Sequence, residues 1–289
     1  MAEQDISFDD YASADIAKKV EAAAVKKAGL PFWSIVFLSI MAGSFIAIGG
    51  ILLTLATFDS TLPSGITKLL GGLAFCVGLV LVVVAGAELF TGNNLIVMGV
   101  ASKVVRFSQL LKNWVIVYIG NFIGSLAAVL LMYYTNLWKM GSFGYAAKAV
   151  VIAAGKVNLT FAEGLTRGIL CNALVCLAVW MCFGARQIIS KIAIILFPIT
   201  AFAAMGFEHS VANMYFIPLG IALKNNPGVI EAVVKMSPDL NLSNLTIYGL
   251  FGNLLSVTLG NIIGGAIMVG LIYWIIIVMP QKRKEKISK

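Results

Sequence analysis

The chain has 289 residues, is 60% hydrophobic and only 12% charged, and carries a formal net charge of +8. An average soluble domain is about 25% charged, so the composition excludes a soluble fold and makes lipid part of the solvent. Disorder needs low hydrophobicity and a disulfide scaffold needs dense cysteine; here Cys76, Cys171, Cys176 and Cys182 all lie in apolar runs, where free thiols behave as small hydrophobes.

Residues 1–32 form a mixed-charge N-terminal arm with Asp5, Asp9, Asp10, Lys18, Lys19, Lys26 and Lys27. They lack the apolar core and small-residue cleavage site of a signal peptide. The spacing of Ile16, Val20, Ala23 and Ala24 predicts an amphipathic helix lying on the membrane surface, with a solvated helical arm as the alternative. Six apolar runs follow within a transmembrane domain, residues 33–279: Trp33 to Phe58, Ile66 to Phe90, Leu110 to Tyr134, Phe161 to Phe183, Ile192 to Leu223 and Leu250 to Met279. About 20 apolar residues cross the hydrocarbon, so the expected fold is an all-α membrane protein with six spans. Connections are short except for two polar stretches, Thr135 to Thr160 and Lys224 to Tyr248. Residues 280–289 form a basic tail.

An even number of spans puts both termini on one side. That side carries 14 of the 21 Lys and Arg residues: those of the arm and the tail, with Lys103, Arg106, Lys112, Arg186 and Lys191. The positive-inside rule makes it the cytoplasm. The positive charge serves topology; no basic groove with interleaved aromatics reads as a nucleic-acid site.

The second and fifth spans are broken. After Phe90 comes Thr91-Gly92-Asn93-Asn94, and after Phe207 comes Glu208-His209-Ser210. Polar backbone at membrane depth survives only where it is buried in protein or lines a cavity. Each break carries an acid, Glu88 or Glu208, and an Asn five residues later, Asn93 or Asn213. The third and sixth spans share Gly120-Asn121-Phe122-Ile123-Gly124 and Gly260-Asn261-Ile262-Ile263-Gly264. Spans one to three therefore repeat as spans four to six in inverted orientation, which predicts a pathway near the midplane between the halves. The Gly-x-x-x-Gly spacing also permits close helix packing, which accounts for the glycines and leaves the breaks unexplained.

Ionisable groups inside a membrane point to function by default. Here each has a plainer reading too. Glu163 and Arg167 stand four apart and can neutralise one another on a helix. Glu88 and Glu208 are expected to bond backbone N–H groups freed by the breaks. His209 is the sole histidine, at a break and opposite Thr91, and is expected to face the pathway. A single histidine argues against an ammonium-type channel, and one Asn226-Pro227 pair in a loop argues against a water channel. With no phosphate loop, metal-ligand spacing or nucleophile triad, neither an enzyme nor a metal or organic cofactor is expected.

These residues carry a resemblance. Ala87 to Asn94, Lys112-Asn113-Trp114 with Gly120-Asn121, Asn172 with Val175 to Trp180, Gly206 to Met214 and Gly260 to Gly265 resemble the formate/nitrite transporter family, over about Phe32 to Trp274. The Phe-Glu-His-Ser-x-Ala-Asn segment at Phe207 to Asn213 is the most specific of them. The resemblance implies an aquaporin-like homopentamer in a bacterial cytoplasmic membrane, with a pore in each protomer. It implies an outer constriction of Phe75, Leu79 and Phe202 and an inner slit of Leu89, Phe90 and Val175. Thr91, Asn172 and His209 would lie between these. Lys156 would attract anions at the mouth; without the family it reads as an exposed loop lysine. The implied permeants are small monovalent anions (formate, nitrite, hydrosulfide) and protons. Formate is favoured because the likeness to formate channels extends through Gly260 to Trp274 and the Lys156 region. The chain departs from formate members that carry Asp at position 88 and Ser at 92.

A bare carboxylate passing Phe and Leu rings faces an idealised desolvation cost of about 20 kcal/mol, several after relaxation. An acid titrating like Asp is neutralised at pH 7 for about 4 kcal/mol, so the neutral acid is the expected species at the tightest point. A proton-coupled carrier on the same fold is the alternative reading, and a membrane scaffold whose breaks serve packing is a third.

Overall fold

The computed structural model describes residues 11–287, with side chains through Arg283. Asp5, Asp9, Asp10 and Lys289, used in the charge reading, lie outside the described residues, as do the side chains of Lys284 and Lys286. The described chain is helical. In order the helices are α1 (Ser13–Ala28), α2 (Phe32–Thr57), α3 (Ser64–Gly86), α4 (Gly92–Ala101), α5 (Phe107–Tyr134), α6 (Gly144–Val157), α7 (Phe161–Gly184), α8 (Ile188–Met205), α9 (Ser210–Leu223), α10 (Pro227–Met236) and α11 (Ile247–Arg283). Six of them, α2, α3, α5, α7, α8 and α11, are long and apolar enough to cross a bilayer. The protein is a multi-pass membrane protein.

The two halves are built alike. In the first, α2 crosses α5 where a Cβ on Gly120 or Gly124 would collide with Ser39 or the Ile40 carbonyl. In the second, α7 crosses α11 where a Cβ on Gly260 or Gly264 would meet the Leu165 or Ile169 carbonyl. These glycines let two backbones touch. The halves meet where α3 packs on α8: Cys76 lies 3.4 Å from Thr200 Oγ1, and the rings of Phe75 and Phe202 meet edge to face at 5.7 Å.

Both breaks begin on a glycine. Gly86 and Gly206 adopt φ of +87° and +72°, a left-handed conformation that costs any other residue a Cβ clash. The first break therefore starts at Ala87, several residues before the Thr91 indicated by the sequence. Glu88 and Leu89 lie within it, and Glu208 lies within the second. Beyond the breaks, α4 is short and α9 is buried along nearly its whole length.

Two further sequence readings are corrected. The apolar face of α1 does not lie free on a membrane surface: Ile16, Ala17 and Val20 are buried with Leu95, Met98 and Trp180. Protein side chains supply the apolar contact that lipid was expected to give. The polar stretches 135–160 and 224–248 are not plain connections. They contain α6 and α10, and seven alanines or valines of α6 are buried. Their small side chains allow α6 to approach α9 closely: a Cβ on Gly220 would press on Ala153. A run of alanines separated by lysine and glycine is too weakly apolar to read as buried from sequence.

Candidate functional site

Each break is held by one glutamate, one lysine and three asparagines. In the first, Lys27 Nζ donates to Glu88 Oε1 at 2.6 Å and to Asn93 Oδ1 at 3.0 Å. Asn93 Nδ2 donates to Glu88 Oε2 at 2.7 Å and to Asn113 Oδ1 at 2.9 Å, and Asn113 Nδ2 returns to the Lys27 carbonyl at 3.3 Å. In the second, Lys156 Nζ donates to Glu208 Oε1 at 3.0 Å, and Asn213 Nδ2 donates to Glu208 Oε2 at 2.6 Å and Asn253 Oδ1 at 2.7 Å. Asn253 Nδ2 donates to the Lys156 carbonyl at 2.9 Å. Each buried carboxylate thus has both oxygens bonded and a cation beside it, the condition under which a buried charge is tolerated.

The freed backbone is satisfied elsewhere. Phe90 N–H donates to Asn121 Oδ1 at 2.9 Å, while Asn121 Nδ2 donates to the carbonyls of Ser39 and Glu88. Ser210 N–H donates to Asn261 Oδ1 at 2.9 Å, while Asn261 Nδ2 donates to the carbonyls of Gly168 and Glu208. The expectation that Glu88 and Glu208 cap the freed N–H groups is therefore corrected. An amide both accepts and donates, and an open helix end presents both kinds of group; a carboxylate only accepts. Asn121, Asn261, Asn113, Asn253 and Lys27 were missed as site residues. Their signal was present: Asn113 and Asn121, like Asn253 and Asn261, stand eight apart in the matching spans.

The breaks meet at one bond: Thr91 Oγ1 lies 2.9 Å from His209 Nε2. His209 Nδ1 accepts the Ala212 N–H at 3.1 Å, so the imidazole caps α9. That bond assigns the ring proton to Nε2. The neutral ring then donates to Thr91, whose own hydroxyl proton is left to donate. Asn172 Nδ2 fastens the same place, donating to the carbonyls of Thr91 and Asn261 and to Asn94 Oδ1 at 3.3, 2.7 and 3.1 Å. Glu88 and Glu208, and Asn93 and Asn213, are all 120 residues apart. By that offset the counterpart of His209 is Leu89, an apolar residue.

Phe75, Leu79, Leu89, Phe90, Val175 and Phe202 are all buried in one apolar cluster. Phe202 links the Phe75 ring to the imidazole, stacking on His209 at 6.0 Å. Phe90 packs its ring on Trp114 and Tyr118, at 5.9 and 5.0 Å. A cavity of about 450 Å³ opens between α1 and the first break, lined by Lys27, Leu79, Glu88, Leu89 and Asn93 among others. Lys156 is not an exposed loop residue. It lies in α6 with its side chain 14% exposed, and its ammonium stands 5.4 Å over the Phe216 ring. Glu163 and Arg167 make a long 3.9 Å pair at the partly exposed start of α7, where Glu163 also completes a capping box with Thr160.

Residues 14–275 match the Formate/nitrite transporter family. The chain belongs to that family. It is 42% identical over 276 residues to the "Formate channel FocA" of Escherichia coli (strain K12), covering 94% of this chain and 96% of the relative. It is 41% identical over 278 residues to the "Probable formate transporter" of Methanothermobacter thermautotrophicus, covering 90% and 95%. Among solved structures it resembles a "Pentameric formate channel with formate bound", with a TM-score of 0.72 and 36% identity over 89% of this chain and 98% of that one. It also resembles an "FNT family ion channel", with a TM-score of 0.73 and 30% identity over 90% and 98%. For a formate/nitrite transporter, the six spans and the paired breaks are the architecture that the sequence repeats predict.

Proposed function

We propose that the protein is a passive, pH-sensitive channel for small monovalent anions of weak acids, formate first among them. It would act as a homopentamer in a bacterial cytoplasmic membrane, with both termini in the cytoplasm. The observation that carries the reading is the Thr91–His209 bond, which joins the two breaks inside an apolar cluster. The names of the relatives support formate as the substrate, and the Lys and Arg asymmetry supports the orientation.

In this reading Lys156 draws anions to the outer mouth. Phe75, Leu79 and Phe202 then strip water, and Leu89, Phe90 and Val175 do so from the inner side. Between these constrictions the Thr91 hydroxyl, oriented by His209 and Asn172, replaces the lost hydration by donating to a carboxyl oxygen. The apolar walls favour the neutral acid at the narrowest point, so a proton accompanies the anion there.

The test is competitive uptake of formate, nitrite and hydrosulfide by proteoliposomes of the purified protein. The expected result is formate uptake well above protein-free vesicles, linear with concentration, and faster than uptake of the other two anions. Saturating uptake with one proton taken up per anion would make the protein a carrier. No uptake of any of the three would remove both readings.

A further inference from the structure

The two halves repeat their scaffold but not all of their buried hydrogen-bonding groups. The breaks correspond at an offset of 120 residues, and the third and sixth spans at 140, as Asn121 and Asn261 show. For α2 and α7 the offset is 129, because the Ile40 and Ile169 carbonyls take the same place beside Gly124 and Gly264. By these offsets Thr91, Asn94, Asn172, Cys176 and His209 stand where the other half has Val211, Met214, Gly43, Ala47 and Leu89. All five are buried.

These five are bonded to one another. Besides the contact between Thr91 and His209, the Thr91 carbonyl accepts from Asn172 Nδ2 and from Cys176 Sγ, each at 3.3 Å. Asn94 Oδ1 accepts from Asn172 Nδ2 at 3.1 Å, and Asn94 Nδ2 donates to the Phe90 carbonyl at 3.0 Å. An exchange of volumes makes room for them. In the first half Gly43 faces Ser125, whose hydroxyl donates to the Gly43 carbonyl at 3.4 Å. At the matching places of the second half Asn172 faces Gly265, where a Cβ would collide with Asn172 Nδ2 and Cys176 Sγ. There α11 is also wound more widely, as a π-helix from Ile263 to Leu271, while α5 is α-helical throughout. Such turns mark functional places in many helices.

We propose that Asn94 and Cys176 are positioning residues for permeation, acting through Asn172 and the Thr91 carbonyl. The inference rests on the channel reading and deepens it. Two donors from α7 fix the plane of the Thr91 peptide. A threonine has few χ1 positions on a given backbone, so fixing the peptide aims the hydroxyl at His209 and the pathway. Asn94 secures the other end, tying the Asn172 amide to the carbonyl of Phe90 in the inner slit. The repeated residues hold the breaks open, and these unrepeated ones orient the group that meets the anion.

Two measurements on the full-length protein test this. Asn94→Met and Cys176→Ala install side chains that the other half already packs at the matching places, and Cys176→Ser keeps a donor. His209 is the sole histidine, so protein labelled with ¹⁵N-histidine in lipid gives the resonances of one imidazole. Asn94→Met and Cys176→Ala should each move the Nε2 signal towards its position in Thr91→Val, and Cys176→Ser should leave it near the parent. Formate uptake should fall several-fold in Asn94→Met, fall less in Cys176→Ala and be kept in Cys176→Ser. A lowered unfolding temperature with the Nε2 signal unmoved in both variants makes the two residues merely structural and overturns the proposal. If Asn94→Met does not assemble, the Cys176 pair decides alone. Absence of uptake by the unsubstituted protein overturns the channel reading instead, and the Nε2 signal still decides whether Asn94 and Cys176 position Thr91.

Discussion

Lys27 and Lys156 each stand one residue before the end of a short helix, α1 or α6, and each bonds the glutamate of its own half's break, at 2.6 and 3.0 Å. The repeat is therefore larger than three spans. Each half is a short helix ending in lysine, a span, a broken span and a span whose two asparagines close the network. The lysine helix brings a cation from outside the hydrocarbon to a carboxylate that the break places within it. An unpaired carboxylate at that depth would be strongly disfavoured.

Removing one partner should cost more where the pair is more buried. The side chain of Lys156 is 14% exposed and that of Lys27 is 28% exposed. Lys156→Met leaves Glu208 charged and uncompensated, at a cost of about 3 kcal/mol; Lys27→Met should cost about half as much, because water reaches Glu88 more readily. Adding Glu208→Gln to Lys156→Met should restore much of the loss, since a glutamine still accepts from Asn213. Thermal unfolding of the detergent-solubilised protein ranks the variants. A larger loss for Lys27→Met than for Lys156→Met would contradict the burial argument.

Asn121 and Asn261 should be equivalent in stability. Asn121→Leu and Asn261→Leu each strand a buried N–H and the break carbonyl of Glu88 or Glu208, at about 1–3 kcal/mol for each group left unpaired. Both should lower the yield of intact oligomer in size-exclusion chromatography. Asn121→Asp and Asn261→Asp keep the acceptor but set a carboxylate without a cation against two carbonyls, and should be at least as destabilising. A leucine variant as stable as the parent would mean that another group holds the break.

The helix crossings predict a sharp contrast among glycines of one helix. A Cβ on Gly264 would collide with the Ile169 carbonyl, whereas a Cβ on Gly252, also in α11, would meet nothing within 4 Å. Gly264→Ala should abolish assembly. Gly252→Ala should be neutral or stabilising by up to about 1 kcal/mol, the helix-propensity gain of alanine over glycine. Expression screening of the two variants checks this directly. Equal behaviour of the pair would contradict the close crossing of α7 and α11.

The spans and breaks were legible because hydrophobic length and polar interruptions are local signals. The inverted repeat was legible through Glu88 and Glu208 with their asparagines five residues on. The role of Asn121 and Asn261 was not, since a Gly-Asn-x-x-Gly segment reads first as a packing motif, and an asparagine's partners on a distant break are set only by the fold. Lys27 was hidden for the same reason: in sequence it is one of four arm lysines, and only the docking of α1 brings it to Glu88. The helix α6 was missed because alanine-rich burial against another helix has little apolar contrast to show. The bond between Thr91 and His209 was foreseen in outline, as two breaks facing one another, while the atoms that meet depend on the cap that His209 makes for α9.

That cap predicts how acid acts on the channel. His209 Nδ1 accepts the Ala212 N–H and Nε2 faces Thr91. A second ring proton would set an Nδ1–H against the Ala212 N–H, a donor against a donor, so protonation must release the first turn of α9 and shift the ring from Thr91. In proteoliposomes, acidification should therefore bring a step in formate flux in the unsubstituted protein beyond that due to formate itself. His209→Asn keeps a cap acceptor and a donor toward Thr91 but cannot titrate, so flux should persist without the step. His209→Phe loses both bonds; it should cost about 1 kcal/mol of stability, as removed caps do, and lose most of the flux. Thr91→Val should also lose flux if, as proposed, its hydroxyl proton is donated to the permeating acid, while Thr91→Ser should retain it. An unchanged pH step in both His209 variants would remove the imidazole from the pathway.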